Sequence, residues 1–466
     1  MSQSNQQTIA HARGIFDHAL ERVLPEPALR RYVDLDEASN TLTVAEKEYD
    51  LDGYERIIVV GGGKAARRTG AELAAMLGDR ITAGALNVYQ EQARDPFSDR
   101  IKLFAADHPT PNEKGAQGAR QMISLLEGAD AKTLVIALIS GGGSALMALP
   151  VEGISLDDFK AVNRLLLTVP ATIDQVNAVR KHLDPLKGGR MRKFAARAGG
   201  FISLVLSDVP VTKTGVVDDT SVIASGPTVG DDSTFQLAQD VLVEHNIWDK
   251  VTPAVKKYIQ DNLGQEDNET LSKDSPLLDK SQYVIIANND QAMEAAHEKA
   301  EQLGYTAHLI GCRTGSTDDK IKAEVTQEIE NIWRVITPYL MDGDQITFAS
   351  FSTDGVDGHS DLAGAIADQN TLKLARSKGI DHREHLANFD SATFFKKLGL
   401  EIQTGPSGTN VADISLVLIT APDRKVAIIF GGEATVNVVL PQGQKPGFGG
   451  RNTHLALLAA EKLDQR

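Results

Sequence analysis

Ile57-Ile58-Val59-Val60-Gly61-Gly62-Gly63-Lys64-Ala65-Ala66-Arg67 is the stretch that decides the fold. Four β-branched residues in succession suit a parallel strand covered on both faces. Three glycines then turn the chain into a helix. Glycine adopts backbone angles that other residues avoid and lets a ligand approach the main chain. A helix starting at such a turn aims free N–H groups and the positive end of its dipole at it, which favours a phosphate or carboxylate. Lys64 adds a full positive charge at the same place. Taken alone, the stretch reads equally well as a packed turn followed by a solvated lysine.

A second segment strengthens the ligand reading. The apolar run at residues 133–139 leads straight into Ser140-Gly141-Gly142-Gly143-Ser144. Two glycine loops, each after an apolar strand, outline the ligand crevice of an open parallel sheet, and such loops cradle anions. Near the C-terminus, Gly449-Gly450-Arg451-Asn452 opens a last helix and repeats the logic with an arginine. Carboxylates follow two further strands. Asp208 comes after the run 201–206, and Ser352-Thr353-Asp354-Gly355-Val356-Asp357-Gly358 comes after 345–351. Asp354 and Asp357 in a glycine loop suit Mg²⁺, which takes one or two carboxylates together with phosphate and water. The plainer readings are an Asp-Gly turn for that pair and a helix N-cap for Asp208. On a helix expected over 171–183, Asn177, Arg180 and Lys181 fall at i, i+3 and i+4 and share a face.

Composition bounds the rest. A chain of 466 residues exceeds one ordinary core, so two or three domains are expected. A net charge of −15 argues against a general nucleic-acid binder and requires local cations wherever an anion binds. The single cysteine, Cys312, excludes an intrachain disulfide and a Cys-rich metal site. The first residues form no basic, apolar leader, and no run approaches the roughly 18 apolar residues of a membrane span. A cytoplasmic protein without a membrane partner is expected. Residues 8–24 read as a helix with Ile9, Ala12, Ile15, Phe16, Ala19 and Val23 on one face. The polar stretch 261–269 is the best candidate for a domain boundary.

Several of these segments occur together and in order: Gly61-Gly62-Gly63-Lys64, His108-Pro109-Thr110-Pro111, Ser140-Gly141-Gly142-Gly143-Ser144, Asn177-Ala178-Val179-Arg180-Lys181-His182, Ser207-Asp208, Ser225-Gly226-Pro227-Thr228, Asp354-Gly355-Val356-Asp357-Gly358 and Gly449-Gly450-Arg451-Asn452. As a set they resemble the class II glycerate 2-kinases, the family with a C-terminal MOFRL domain, over nearly the whole chain. The resemblance implies two α/β domains with mostly parallel sheets, the first Rossmann-like, and an active-site cleft between them. It places the first domain at 1–245, a connecting segment at 246–281 and the MOFRL-containing domain at 282–466. It implies transfer of the γ-phosphate of ATP to the 2-hydroxyl of D-glycerate with Mg²⁺.

On that basis Lys64, Asp208 and Arg451 are expected to be catalytic, and Asn177, Arg180 and Lys181 to bind glycerate. Gly61, Gly62, Gly63, Ser140, Gly141, Gly142, Gly143 and Ser144 are expected to hold ATP phosphates, and Asp354 and Asp357 the metal. A homo-oligomer is compatible with the sequence. The chain departs from the family at Thr453-His454, where Gln-Glu is usual, and at His359-Ser360, where Pro-Thr is usual. A nicotinamide-dependent hydroxypyruvate reductase would want a Gly-x-Gly-x-x-Gly turn, whose third glycine is missing after Gly61. A non-catalytic sugar-phosphate binder would leave the paired Asp354 and Asp357 unexplained.

Overall fold

A computed structural model describes residues 3–209, 218–310, 325–432 and 445–465. Cys312 and residues 433–440, expected to hold a turn and a strand, lie outside them. The chain divides into two compact units. Of the described residues, one unit comprises 25–208 and 218–286; the other comprises 3–24, 209 and those from 287 onward.

The first unit is built on a six-stranded sheet. Its strands are β4 (Arg56–Gly62), β5 (Ile81–Tyr89), β6 (Ile101–Ala106), β7 (Thr133–Ser140), β8 (Gly200–Leu206) and β9 (Ser281–Ala287), in the order β6-β5-β4-β7-β8-β9. The numbering begins with a small antiparallel sheet of β1 (Val33–Asp36), β2 (Thr41–Val44) and β3 (Lys47–Asp50). Strands β4 to β8 are mutually parallel. Central β7 and β8 are buried along their whole length, as continuous apolar runs require in a sheet covered on both faces. From β4 the chain winds out to β5 and β6, then returns to place β7 on the other side of β4. The winding reverses between β4 and β7, and a ligand crevice forms outside strand ends at such a switch point. Both glycine loops leave the sheet there.

The division of the chain differs from the expected one in two places. Residues 246–281 do not link domains; they are woven into the first unit. The Glu269 carboxylate accepts the backbone N–H of Phe235 at 3.1 Å and meets His182 Nε2 at 2.9 Å. Leu271 N donates to the Gly188 carbonyl at 2.8 Å. The N-terminal helix, Gln3–Val23, belongs to the second unit. Its expected apolar face is buried there, with Phe16 against Phe351 at a centroid separation of 3.8 Å.

The expected α/β architecture with two units holds, the first sheet being mostly parallel and the second mixed. The strands of the second are β10 (Thr306–Ile310), β11 (Gln345–Ser352), β12 (Gly364–Asp368), β13 (Glu401–Ile402), β14 (Asp413–Ala421) and β15 (Arg424–Gly432), ordered β10-β15-β14-β11-β12-β13. Only the β10–β15 pairing is parallel. Pro422 and Asp423 alone separate β14 from β15, and so short a connection allows only an antiparallel return. Phe348, Val417, Ile419, Ile428 and the last helix, Arg451–Asp464, meet in the core of this unit.

Candidate active site

In the first unit a cavity of about 490 Å³ opens beside the second glycine loop. Its wall includes Gly142 and Ser144 from that loop, Asn177 and Arg180 from the helix Ile173–His182, Asp208 after β8, and Ser225. Thr172 caps that helix by accepting from Gln175 N at 3.1 Å, while Gln175 Oε1 reaches back to Thr172 N. This capping box fixes the angle at which the helix presents its polar residues. Asn177 is buried and accepts from the Ser225 hydroxyl at 3.3 Å; the Ser225 and Ser144 hydroxyls are 2.9 Å apart. Ala224 and Ser225 both hold the left-handed conformation, at φ 50° and 63°, which costs a non-glycine residue about 1–2 kcal/mol. The hydrogen bonds of Ser225 to Ser144 and Asn177 help to offset that cost.

Arg180 is the cation of this wall. Its Nε donates to Asn163 Oδ1 at 2.6 Å, and burial lowers the guanidinium pKa. It stays charged at neutral pH, and none of the ion pairs among the described residues joins it to a carboxylate. A partly buried charge without a counter-ion attracts an anionic ligand. Lys181, expected beside it, is elsewhere. It is buried in an ion pair with Asp231. Burial alone would raise the Asp231 pKa, but Lys181 and Ser233 hold it below the ordinary value. Successive helical residues point about 100° apart, and this rotation takes Lys181 out of the site.

The two glycine loops have different roles. Gly61, Gly62 and Gly63 are buried. A Cβ on Gly61 would strike the Leu138 carbonyl, and one on Gly63 the Ser140 hydroxyl and carbonyl, so these glycines serve strand packing. Ser140 is likewise internal, its hydroxyl accepting from Ala65 N at 3.1 Å. Lys64 N donates to the Gly141 carbonyl at 2.9 Å, which joins the loops. Gly141 leaves room for the Asp208 carboxylate, and Gly143 lies against Ala224 and the Gly62 carbonyl. Gly142, left-handed at φ 78°, sits between the side chains of Lys64 and His108. His108 precedes a cis proline and lies at the cavity rim, exposed on one side. The protein around it, and then the charge of Lys64, lower its pKa.

Within the second unit, Asp354 and Asp357 part company. Asp354 Oδ1 accepts from the Ser352 hydroxyl at 2.9 Å and from Val356 N at 3.0 Å, bracing a turn whose Gly355 lies against Gly405. Asp357 is buried and caps the last helix, its two oxygens accepting Asn452 N at 2.9 Å and Thr453 N at 2.8 Å. Burial raises its pKa against the pull of those amides. Asp357 thus serves as a buried cap for that helix, with a backbone amide on each oxygen, whereas Asp354 is less enclosed. No group of three or more His, Cys, Asp or Glu side chains among the described residues is arranged to hold a metal. Arg451, the first residue of that helix, makes a two-point ion pair with Asp413, with Nη2 to Oδ1 at 2.9 Å.

Thr453 accounts for one departure from the family pattern. Its hydroxyl accepts from Gly450 N at 3.1 Å and lies 2.9 Å from that of Ser391, while His454 stacks on Phe389. Sequence reasoning passed over Asn163 and the strained Ala224–Ser225 turn. Only the turn left a trace, as Ser225-Gly226-Pro227.

A crevice at the switch point of a parallel sheet, lined by an arginine, hydroxyls and one carboxylate, marks an α/β protein of the open-sheet class. Comparison with known proteins gives the family. A profile described as a domain of unknown function (DUF4147) matches residues 11–260, and the MOFRL family matches 328–413. The chain belongs to this DUF4147–MOFRL family, that of the class II glycerate 2-kinases. It is 34% identical to a glycerate 2-kinase of Pyrococcus horikoshii, over 82% of this chain and 91% of the relative. A relative from Agrobacterium vitis, carrying provisionally the name hydroxypyruvate reductase, is 33% identical over 78% of this chain and 99% of its own length. The crystal structure of a glycerate kinase from Thermotoga maritima aligns with a TM-score of 0.72 at 27% identity, covering 89% of this chain and 100% of that one. No helix among the described residues is long and apolar enough to cross a membrane.

Proposed function

We propose that the protein transfers the γ-phosphoryl group of ATP to the 2-hydroxyl of D-glycerate, giving 2-phosphoglycerate and ADP. The observation that carries the reading is Arg180, a cavity-lining guanidinium oriented by Asn163 and lacking a carboxylate partner, in a chain whose relatives are glycerate kinases. Arg180 receives the glycerate carboxylate, for which a guanidinium fork is suited. The Asn177, Ser225 and Ser144 hydrogen-bond chain meets the acceptor's hydroxyls. Asp208, in the same wall, orients the 2-hydroxyl and takes its proton as the oxygen–phosphorus bond forms and the bond to the leaving ADP oxygen breaks. Lys64, beside Gly142, neutralises phosphate charge that shifts during transfer. Arg451 and Asp354 are the further groups assigned to the reaction, Asp354 as a residue that would hold Mg²⁺. When bound, that ion neutralises charge on the phosphates.

The test is ADP release from ATP and Mg²⁺ by the purified protein, with and without D-glycerate, with the product located by phosphorus NMR. Phosphate on the 3-hydroxyl alone would contradict the 2-kinase assignment. Consumption of NADH with hydroxypyruvate, with ATP inert, would replace it by the reductase.

A further inference from the structure

Arg180 is steered by a neutral side chain. Asn163 receives the Arg180 Nε at 2.6 Å on Oδ1, while its own Nδ2 donates to the Phe159 carbonyl one helical turn earlier at 2.9 Å. That second bond fixes which end of the amide faces the arginine. Among the other cations with low exposure, Lys181, Lys187 and Arg424 have carboxylate partners, while Arg190 and Arg192 are held by carbonyl and hydroxyl oxygens; Arg180 differs from all of these in lining the cavity. The cavity wall around Asn163 is cationic as well. Lys160 and Arg164 lie on the same helix, Leu156–Leu167, and Asp208 is the one acid in the lining. Aspartate has nearly the shape of asparagine. At position 163 it would hold the guanidinium in the same direction but neutralise it and compete with any incoming anion. The amide fixes direction and leaves the charge uncancelled.

We propose that Asn163 is a positioning and selectivity residue for the acceptor: it aims Arg180 and, by being neutral, reserves that charge for the carboxylate of a small 2-hydroxy acid. This rests on the acceptor reading of Arg180 given above.

Steady-state kinetics on the full chain, with D-glycerate and ATP varied separately, tests it alongside calorimetric titration of D-glycerate without ATP. Asn163→Asp should raise KM for D-glycerate about 10- to 100-fold, the span of one charge-assisted hydrogen bond. Asn163→Ala, which removes the guide without adding charge, should raise it by less, about 3- to 10-fold. KM for ATP should stay within about twofold in both. A purely structural role would reduce the active fraction and lower kcat without ordering the two variants by charge. Equal effects of Asp and Ala on the acceptor KM, or a change in the ATP KM in its place, overturns the proposal. Should Asn163→Asp not fold, Asn163→Ser, neutral and still an acceptor, must lie nearer wild type than Asn163→Ala, and the reverse order overturns it. If the wild type does not turn over D-glycerate, the kinase reading falls and the titration decides. Binding by wild type but not by Asn163→Asp keeps the proposal; no binding by wild type ends both.

Discussion

The loops after β4 and β7 end neighbouring parallel strands, carry three glycines each and look interchangeable in sequence. In the fold they are stacked. The glycines of the first are internal, pressed against Leu138 and Ser140, while the second presents Gly142 and Ser144 to the cavity. Glycine is needed in the first because another backbone lies where a Cβ would be. In the second, Gly142 is needed because φ is positive and two functional side chains flank it. Only Lys64 carries the first loop's chemistry outward. A glycine-rich turn therefore announces a close approach, and the approaching group can be either a ligand or the protein itself.

Four substitutions sharpen or break this contrast. Gly61→Ala should have the largest effect. Its Cβ would meet the Leu138 backbone, which cannot rotate aside, so a stability loss above about 4 kcal/mol, or failure to fold, is expected in urea denaturation. A folded and active Gly61→Ala would show that the first loop is not a packing device. Lys64→Ala should fold normally by circular dichroism and lose about 10²–10³ in kcat, roughly 3–4 kcal/mol. Near wild-type turnover would leave the first loop with packing alone. Gly142→Ala should cost about 1–2 kcal/mol for its left-handed backbone and also disturb kinetics, because the added methyl would lie 3.3 Å from carbons of both His108 and Lys64. Stability loss without any change in KM or kcat would erase the distinction between the loops.

The smallest effect concerns His108 at the rim. Its folded pKa is depressed, so the unfolded chain binds the proton first as pH falls. The stability associated with its neutral form is present above the ordinary histidine pKa and is lost as pH drops through the folded value. Solvent at the rim keeps the effect modest. His108→Gln should flatten the decline of thermal stability on acidification below about pH 6.5. An unchanged slope would mean that the enclosure at the rim is too slight to matter.

Much of the fold was legible in the sequence. The apolar runs of β4 and β7 were readable as covered parallel strands, and residues 8–24 as a helix with one apolar face, because each signal is local. The fate of individual polar residues was less legible because it is settled by what packs against them. Arg180 and Lys181 are adjacent and alike in charge, but only Lys181 meets an aspartate fifty residues away in the chain. Asp354 and Asp357 share one motif, yet Asp357 is committed to a helix terminus nearly a hundred residues later. The boundary near 261–269 looked like a linker because it is polar. Its polarity includes Glu269, which completes buried hydrogen bonds in the first unit.

The N-terminal helix lies against elements encoded far downstream. Besides the Phe16–Phe351 contact, Asn5 Nδ2 donates to Asp368 at 3.1 Å, Arg13 Nη2 to the Glu401 carbonyl at 2.7 Å, and Thr409 Oγ1 to the Val23 carbonyl at 2.7 Å. During synthesis this helix, made before the first unit, thus meets partners made only after it. At about 5–20 residues per second, its apolar face waits roughly 13–50 s while the first unit, residues 25–286, is synthesised and can close. An apolar face exposed for that interval is a liability to aggregation, and circular permutation of the helix to the C-terminus would shorten it.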